Sequence, residues 1–155
     1  MKKNYWIIKT EPDVFSIKDL QSRPNQTSTW EGVRNYQARN YIKNEIKIGD
    51  ICFFYHSSCP IPGIVGEVQV SKESYVDPTA FEKKSEYFDP KSTKENPRWF
   101  MFDVTFIEEY PQMITLNDLK NIPEISHIKI LQKGNRLSIT PISLMDYKLI
   151  KKMTT

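Results

Sequence analysis

The chain has 155 residues and a formal net charge of +3 at pH 7, long enough to bury a core in one domain without disulfide or metal staples. Hydrophobic residues at 39% and charged residues at 26% are the balance of a soluble globular protein, and so small a cationic excess excludes histone-like coating of duplexes while tolerating an acidic partner. Cys52 and Cys59 give no disulfide framework, Met1-Lys2-Lys3-Asn4 lacks the apolar stretch of a secretory signal, and no segment reaches membrane-spanning length; the expected compartment is cytoplasmic, or nuclear in a eukaryote, with no membrane partner.

In chain order, Tyr5 to Thr10 reads as a strand ended by Glu11-Pro12, and Ser16 is placed to cap a short helix through Leu20. Arg23 to Thr29 is polar and reads as loop. A helix follows from about Asn35 to Glu45, with Ala38, Tyr41 and Ile42 on its inner face. It stops near Gly49-Asp50, which opens a strand from Ile51 to His56. After the loop Ser57 to Gly63, Ile64, Gly66, Val68 and Val70 alternate with Glu67 and Gln69, the period of a half-buried strand. The stretch Lys72 to Pro97, turned at Asp77-Pro78 and Asp89-Pro90, reads as a long surface excursion. Alternation returns from Trp99 to Ile107, with Phe100, Phe102, Val104 and Phe106 on one face and Met101, Asp103 and Thr105 on the other. Thr115 can cap a helix through Lys120, and Leu137 to Ile142 reads as a last strand before a helix from Ser143. About five or six short strands interspersed with helices make a mixed α/β (α+β) domain, and their irregular alternation disfavours a doubly wound sheet.

The block Trp30-Glu31-Gly32-Val33-Arg34-Asn35-Tyr36-Gln37-Ala38-Arg39-Asn40 gathers an aromatic, a turn glycine, two arginines and a helix start. A helix capped by Asn35, with free N–H groups and Arg34 and Arg39 beside them, suits a phosphate, and an exposed indole at Trp30 suits a flat base. The alternative is a buried Trp30 and a solvated arginine face. Lys9 and Lys43 are further candidates for phosphate. Tyr55, His56 and Ser57 end a strand and enter a proline-containing loop, where an aromatic wall with imidazole and hydroxyl groups can hold a flipped-out base. Gly63 allows close backbone approach to a ligand. The alternatives are a core tyrosine at Tyr55 and a structural hydrogen bond at His56. Cys52, His56 and Cys59 imitate a zinc signature, but on a strand rising about 3.3 Å per residue Cys52 and His56 lie roughly 13 Å apart, too far to share an ion with ligands at about 2.0–2.3 Å. His56 and Ser57 point to opposite faces, no serine sits in a nucleophile elbow, and the glycines are not arranged as a phosphate loop. Neither metal, cofactor nor catalysis is expected.

Several short motifs recur in a fixed order along the chain. They are Tyr5-Trp6-Ile7-Ile8-Lys9-Thr10-Glu11-Pro12, the Trp30 to Asn40 block, and Gly49-Asp50 followed by Phe53-Phe54-Tyr55-His56-Ser57. Pro62-Gly63-Ile64-Val65-Gly66-Glu67-Val68, Asp77-Pro78-Thr79-Ala80, Pro97-Arg98-Trp99 leading into Asp103-Val104, and Arg136-Leu137-Ser138 complete the series. In this order and spacing they resemble EVE domains of the PUA-like superfamily, relatives of the YTH readers of modified RNA. Glu31 stands where that family more often has aspartate, and Val76 where a proline is common. The resemblance implies a single domain over residues 1–155, folded as a small, strongly curved β-barrel with helices packed outside. It also implies a pocket for one modified base of DNA or RNA, in which Trp30 resembles the first tryptophan of the YTH cage and Trp99 is the candidate second wall. The implied function is a non-catalytic nucleic-acid-binding module; the alternatives are an enzyme or enzyme subunit acting on nucleic acid, and a small-molecule or protein-interaction module.

Overall fold

One six-stranded mixed sheet carries the fold, which a computed structural model describes over residues 3–154. Its strands are β1 (Tyr5–Thr10), β2 (Thr27–Trp30), β3 (Ile51–His56), β4 (Gly63–Val76), β5 (Phe100–Thr115) and β6 (Ile139–Ile142), in the spatial order β2-β5-β4-β3-β1-β6. β1 runs parallel to β3 and antiparallel to β6, and the remaining pairs are antiparallel. Register shifts along β4 and β5 at Ile64/Gly66, Glu67/Val68, Val70/Lys72 and Lys72/Tyr75 add twist and bend, since a bulge places two residues opposite one. The sheet is curved, with the helices on its outside, as the resemblance implies.

Four α-helices, α1 (Ile17–Gln21), α2 (Tyr36–Asn44), α3 (Leu116–Lys120) and α4 (Leu144–Lys152), cover the sheet. Their starts are set locally. Ser16, Thr115 and Ser143 each accept the N–H of an aspartate three residues on, while the carboxylates of Asp19, Asp118 and Asp146 accept the cap N–H in return. Asn35 caps α2 by accepting the Ala38 N–H at 3.0 Å.

Strand alternation sorts the side chains into two cores. Trp6, Ile8, Phe54, Val68, Val70, Phe102 and Val104 share one cluster with Ile17 and Leu20 of α1 and Ala38, Tyr41 and Ile42 of α2. Ile7, Phe53, Tyr55, Ile64, Tyr110 and Ile114 form the other with Leu119 of α3 and Ile150 of α4.

Three details differ from the expectations. Residues 27–30 are a strand, not loop: Thr27 to Trp30 pair with Thr105 to Phe102 of β5, and as an edge strand β2 needs no apolar alternation of its own. β4 runs on to Val76, five residues into the surface excursion expected from Lys72. Ile64 falls in the second core although Val68 and Val70 lie in the first, because the bulge at Ile64/Gly66 reverses the face that each parity presents.

Candidate functional site

The end of β1, the β2 edge and the start of α2 converge on a cleft of about 720 Å³. Lys9 and Thr10 from β1, Ser28, Thr29 and Trp30 from β2, and the run Glu31 to Asn35 line it. Glu11, Val14, Phe15, Arg23, Ser57, Ser58, Glu86, Tyr87, Arg136 and Ser138 complete the lining. Trp30 is only 8% exposed. Its ring meets Phe15 and Phe54 edge-on, with centroids 6.2 Å and 5.6 Å away, so it belongs to the core and borders the cleft at the same time. The indole N–H groups of Trp6 and Trp99 donate to Asp50 and Asp89. That of Trp30 has no protein partner among the described residues and is not sealed from solvent.

Arg34 is committed to the protein. Its Nε and Nη2 donate to the Tyr87 carbonyl at 3.1 and 2.8 Å, and Nη2 also to the Thr79 hydroxyl at 3.1 Å. Nη1 donates to the Val33 carbonyl and to Asp77 Oδ2, both at 3.1 Å. Asp77 is fully buried and further accepts the Gly32 N–H at 2.8 Å and the Thr79 N–H at 2.9 Å. Burial pushes the Asp77 carboxyl upward, but the bonds from Thr79, Gly32 and Arg34 outweigh it and hold the group below its ordinary value. The Arg34 guanidinium also lies 5.6 Å from the Tyr87 ring centroid and 5.2 Å from that of Trp99. Arg34 and Asp77 thus fasten the 77–99 excursion to the start of α2 and set Tyr87 as a wall of the cleft.

Of the residues singled out in the sequence, Trp30, Ser57, Lys9, Arg34 and Asn35 come together here. Lys9 is half-buried, and burial lowers its ammonium pKa. Tyr55 lies in the second core, and burial, with a smaller contribution from Cys59, pushes its phenol up to about 12. His56 accepts the Ile17 N–H on Nε2 at 3.2 Å, so its ring proton sits on Nδ1. Gly63 pairs with Thr115 in the sheet, where a β-carbon would stand 2.4 Å from the Ile114 carbonyl oxygen; its small size serves strand approach. Trp99 is 5% exposed, anchored to Asp89 at 2.6 Å and stacked on Tyr36 at 4.9 Å, and it does not line the cleft. Arg39 donates to the Arg98 carbonyl at 2.8 Å, also outside the cleft. Cys52 is buried in the first core, and burial followed by the Asp50 charge pushes its thiol up.

Phe15, Arg23, Tyr87 and Arg136 enter the cleft without having been singled out for a site role. Arg136 and Ser138 stand in the motif Arg136-Leu137-Ser138, a visible signal. Tyr87 carries none, because its place depends on a hydrogen bond from Arg34 53 residues away.

Known proteins resemble this chain along nearly its whole length. Thymocyte nuclear protein 1 of Rattus norvegicus is 40% identical over 163 residues, covering 95% of this chain and 72% of that protein. The crystal structure of human THYN1 protein in complex with 5-methylcytosine containing DNA matches with a TM-score of 0.91 at 38% identity, covering 98% of each chain. The YTH domain of the Zygosaccharomyces rouxii MRB1 protein, at 14% identity and a TM-score of 0.54 over 98% of this chain and 86% of that one, shares the fold. Residues 4–153 match the EVE domain, and with that span of agreement the chain belongs to the EVE domain family.

Proposed function

We propose that this chain is a non-catalytic nucleic-acid-binding module that takes one modified base of DNA or RNA into the cleft beside Trp30. The observation that carries the reading is the cleft itself, in which the aromatic side chains of Trp30, Phe15 and Tyr87 stand with Lys9, Arg23, Arg34 and Arg136, beside Glu11, Glu31 and Glu86. Its volume of about 720 Å³ lies within the roughly 300–1,000 Å³ of small-ligand sites, ample for one extruded base. The unpartnered indole N–H of Trp30 offers a donor to a base acceptor, and Tyr87 replaces Trp99 as the second aromatic wall. Lys9, Arg23 and Arg136 make no ion pair among the described residues and are the cations of the cleft available to phosphate, while Arg34 holds the wall. A bound phosphate would also relieve the burial cost carried by the Lys9 ammonium. The human relative's complex with 5-methylcytosine DNA supports the ligand class. The commitment of His56 Nε2 to the Ile17 N–H argues against its serving Ser57 as a general base.

Fluorescence anisotropy with DNA and RNA oligonucleotides that carry 5-methylcytosine or unmodified cytosine tests the reading. The modified strand is expected to bind more tightly. Tyr87→Ala is expected to weaken that binding by about 1–3 kcal/mol, the worth of one base–aromatic stack, or roughly fivefold to 150-fold, and Trp30→Phe by about 0.5–1.5 kcal/mol, the worth of the indole hydrogen bond it removes. Trp30→Ala is unsuitable as a binding probe, since emptying this core site costs about 3–5 kcal/mol of fold stability. Equal affinity for modified and unmodified strands, or turnover of either strand, overturns the proposal.

A further inference from the structure

We infer that the outer face of α2, together with Arg98, is a second contact surface for nucleic acid, a rail for the sugar–phosphate backbone flanking the base in the cleft. It rests on the reading proposed above. The rail begins where the cleft ends, because Asn35 lines the cleft and Tyr36 is the next residue. Tyr36 is 52% exposed yet held firmly. Its ring stacks on Trp99 at 4.9 Å, its hydroxyl is 3.4 Å from Arg98 Nη1, and the Arg39 guanidinium lies 5.0 Å from its centroid. Behind it, Trp99 faces Arg34 at 5.2 Å, so alternating rings and guanidinium groups connect the rail to the wall of the cleft.

Tyr36, Arg39, Asn40 and Lys43 fall at the spacing that shares one helix face. α2 contains no carboxylate along its whole length. Arg39, Arg98 and Lys43 form no ion pair among the described residues, whereas Lys18, Arg34, Lys47 and Lys151 do. Asp89, the carboxylate whose charge reaches Arg98, is already bound to the Trp99 indole. Uncompensated cations grouped on one face matter in a chain whose whole excess is +3. Arg39 is also pre-ordered by its bonds to the Arg98 carbonyl and Asn40 Oδ1, both at 2.8 Å. Guanidinium groups fixed in this way lose little freedom on meeting a phosphate. The occupant that fits is a polyanion continuous with the ligand of the cleft.

The test compares the protein with its Arg39→Gln/Lys43→Gln/Arg98→Gln variant, using a single strand of about twelve nucleotides bearing a central 5-methylcytosine and a trinucleotide bearing the same base, in DNA and RNA forms. Each phosphate contact adds about 0.7 to the log–log salt slope of a single strand. The variant should therefore lose about 2 of slope on the longer strand while binding the trinucleotide unchanged. Arg39→Lys/Arg98→Lys should keep the slope. If the triple variant does not fold, Lys43→Gln/Arg98→Gln is expected to lose about 1.4. An unchanged slope, or equal loss on both ligands, overturns the rail alone. Failure of the unaltered protein to bind either ligand overturns the reading of the cleft and the rail with it.

Discussion

At Gly32 two constraints meet in one residue. Its φ is +79°, and a β-carbon there would stand 2.5 Å from Cζ of Tyr87. The left-handed backbone alone disfavours any other residue, and the Tyr87 ring removes the space in which one could fit. Gly32→Ala is expected to destabilise the fold by more than about 1 kcal/mol and to push Tyr87 out of its place. Urea unfolding reads the first effect. The second is read as lost preference for the modified strand, or directly from the Tyr87 ring resonances. The burial of Trp30 belongs to the same scale. An indole packed against Phe15, Phe54 and Phe102 and only 8% exposed turns little more than its N–H edge to the cleft, so on the proposed reading Tyr87 is the wall with a ring to offer.

Among the elements, α1 is tied to the end of β3 by the bond from the Ile17 N–H to His56. That bond needs a neutral imidazole. Burial lowers the His56 pKa below its ordinary 6.5, although the carboxylates of Glu109 and Asp19 pull the other way. The unfolded chain therefore takes up a proton near pH 6.5 that the folded chain refuses. Stability is full above that pH and falls as pH drops through 6.5 toward the folded pKa. Urea midpoints should decline from about pH 7 to about pH 5, and the decline should shrink in His56→Gln, whose amide oxygen can still accept the Ile17 N–H. Elements with local causes are the ones legible in the sequence. Ser16, Asn35, Thr115 and Ser143 are caps whose partners lie three residues away, and the alternation of Phe100, Phe102, Val104 and Phe106 predicts β5 and its buried face. β2 is not legible, because Thr27-Ser28-Thr29 is polar and owes its extended form to β5. The cleft divides in the same way. Trp30, Arg34 and Asn35 stand together in sequence, while Tyr87 arrives through the remote bonds of Arg34, and Tyr55 leaves because strand parity turns it to the opposite core.

Across the whole molecule, the core opposite the cleft is closed by a polar lock. Buried Glu67 of β4 accepts hydrogen bonds from the hydroxyls of Tyr110 and Tyr147 and from Lys151 Nζ of α4, at 2.7, 3.0 and 2.6 Å. Burial lowers the Lys151 pKa, but its bonds to Glu108 and Glu67 outweigh that and raise it. Removing the cation leaves a buried carboxylate short of charge. Lys151→Met is expected to cost about 3 kcal/mol, a fall in Tm of roughly 10 °C, with binding in the cleft untouched; differential scanning calorimetry and anisotropy on one sample check both halves. The edge of the sheet beyond β3 has a different consequence. β1 sits between β3 and β6, and the Lys9 N–H donates to the Ser138 carbonyl at 2.8 Å. A ribosome that has made the Trp30 to Asn40 block has therefore not yet completed the cleft, because Arg136 and Ser138, two of its own lining residues, are still to be polymerised. Pairings so distant in sequence close late. On the reading proposed for the cleft, base recognition is expected to begin only once β6 has emerged from the exit tunnel and docked.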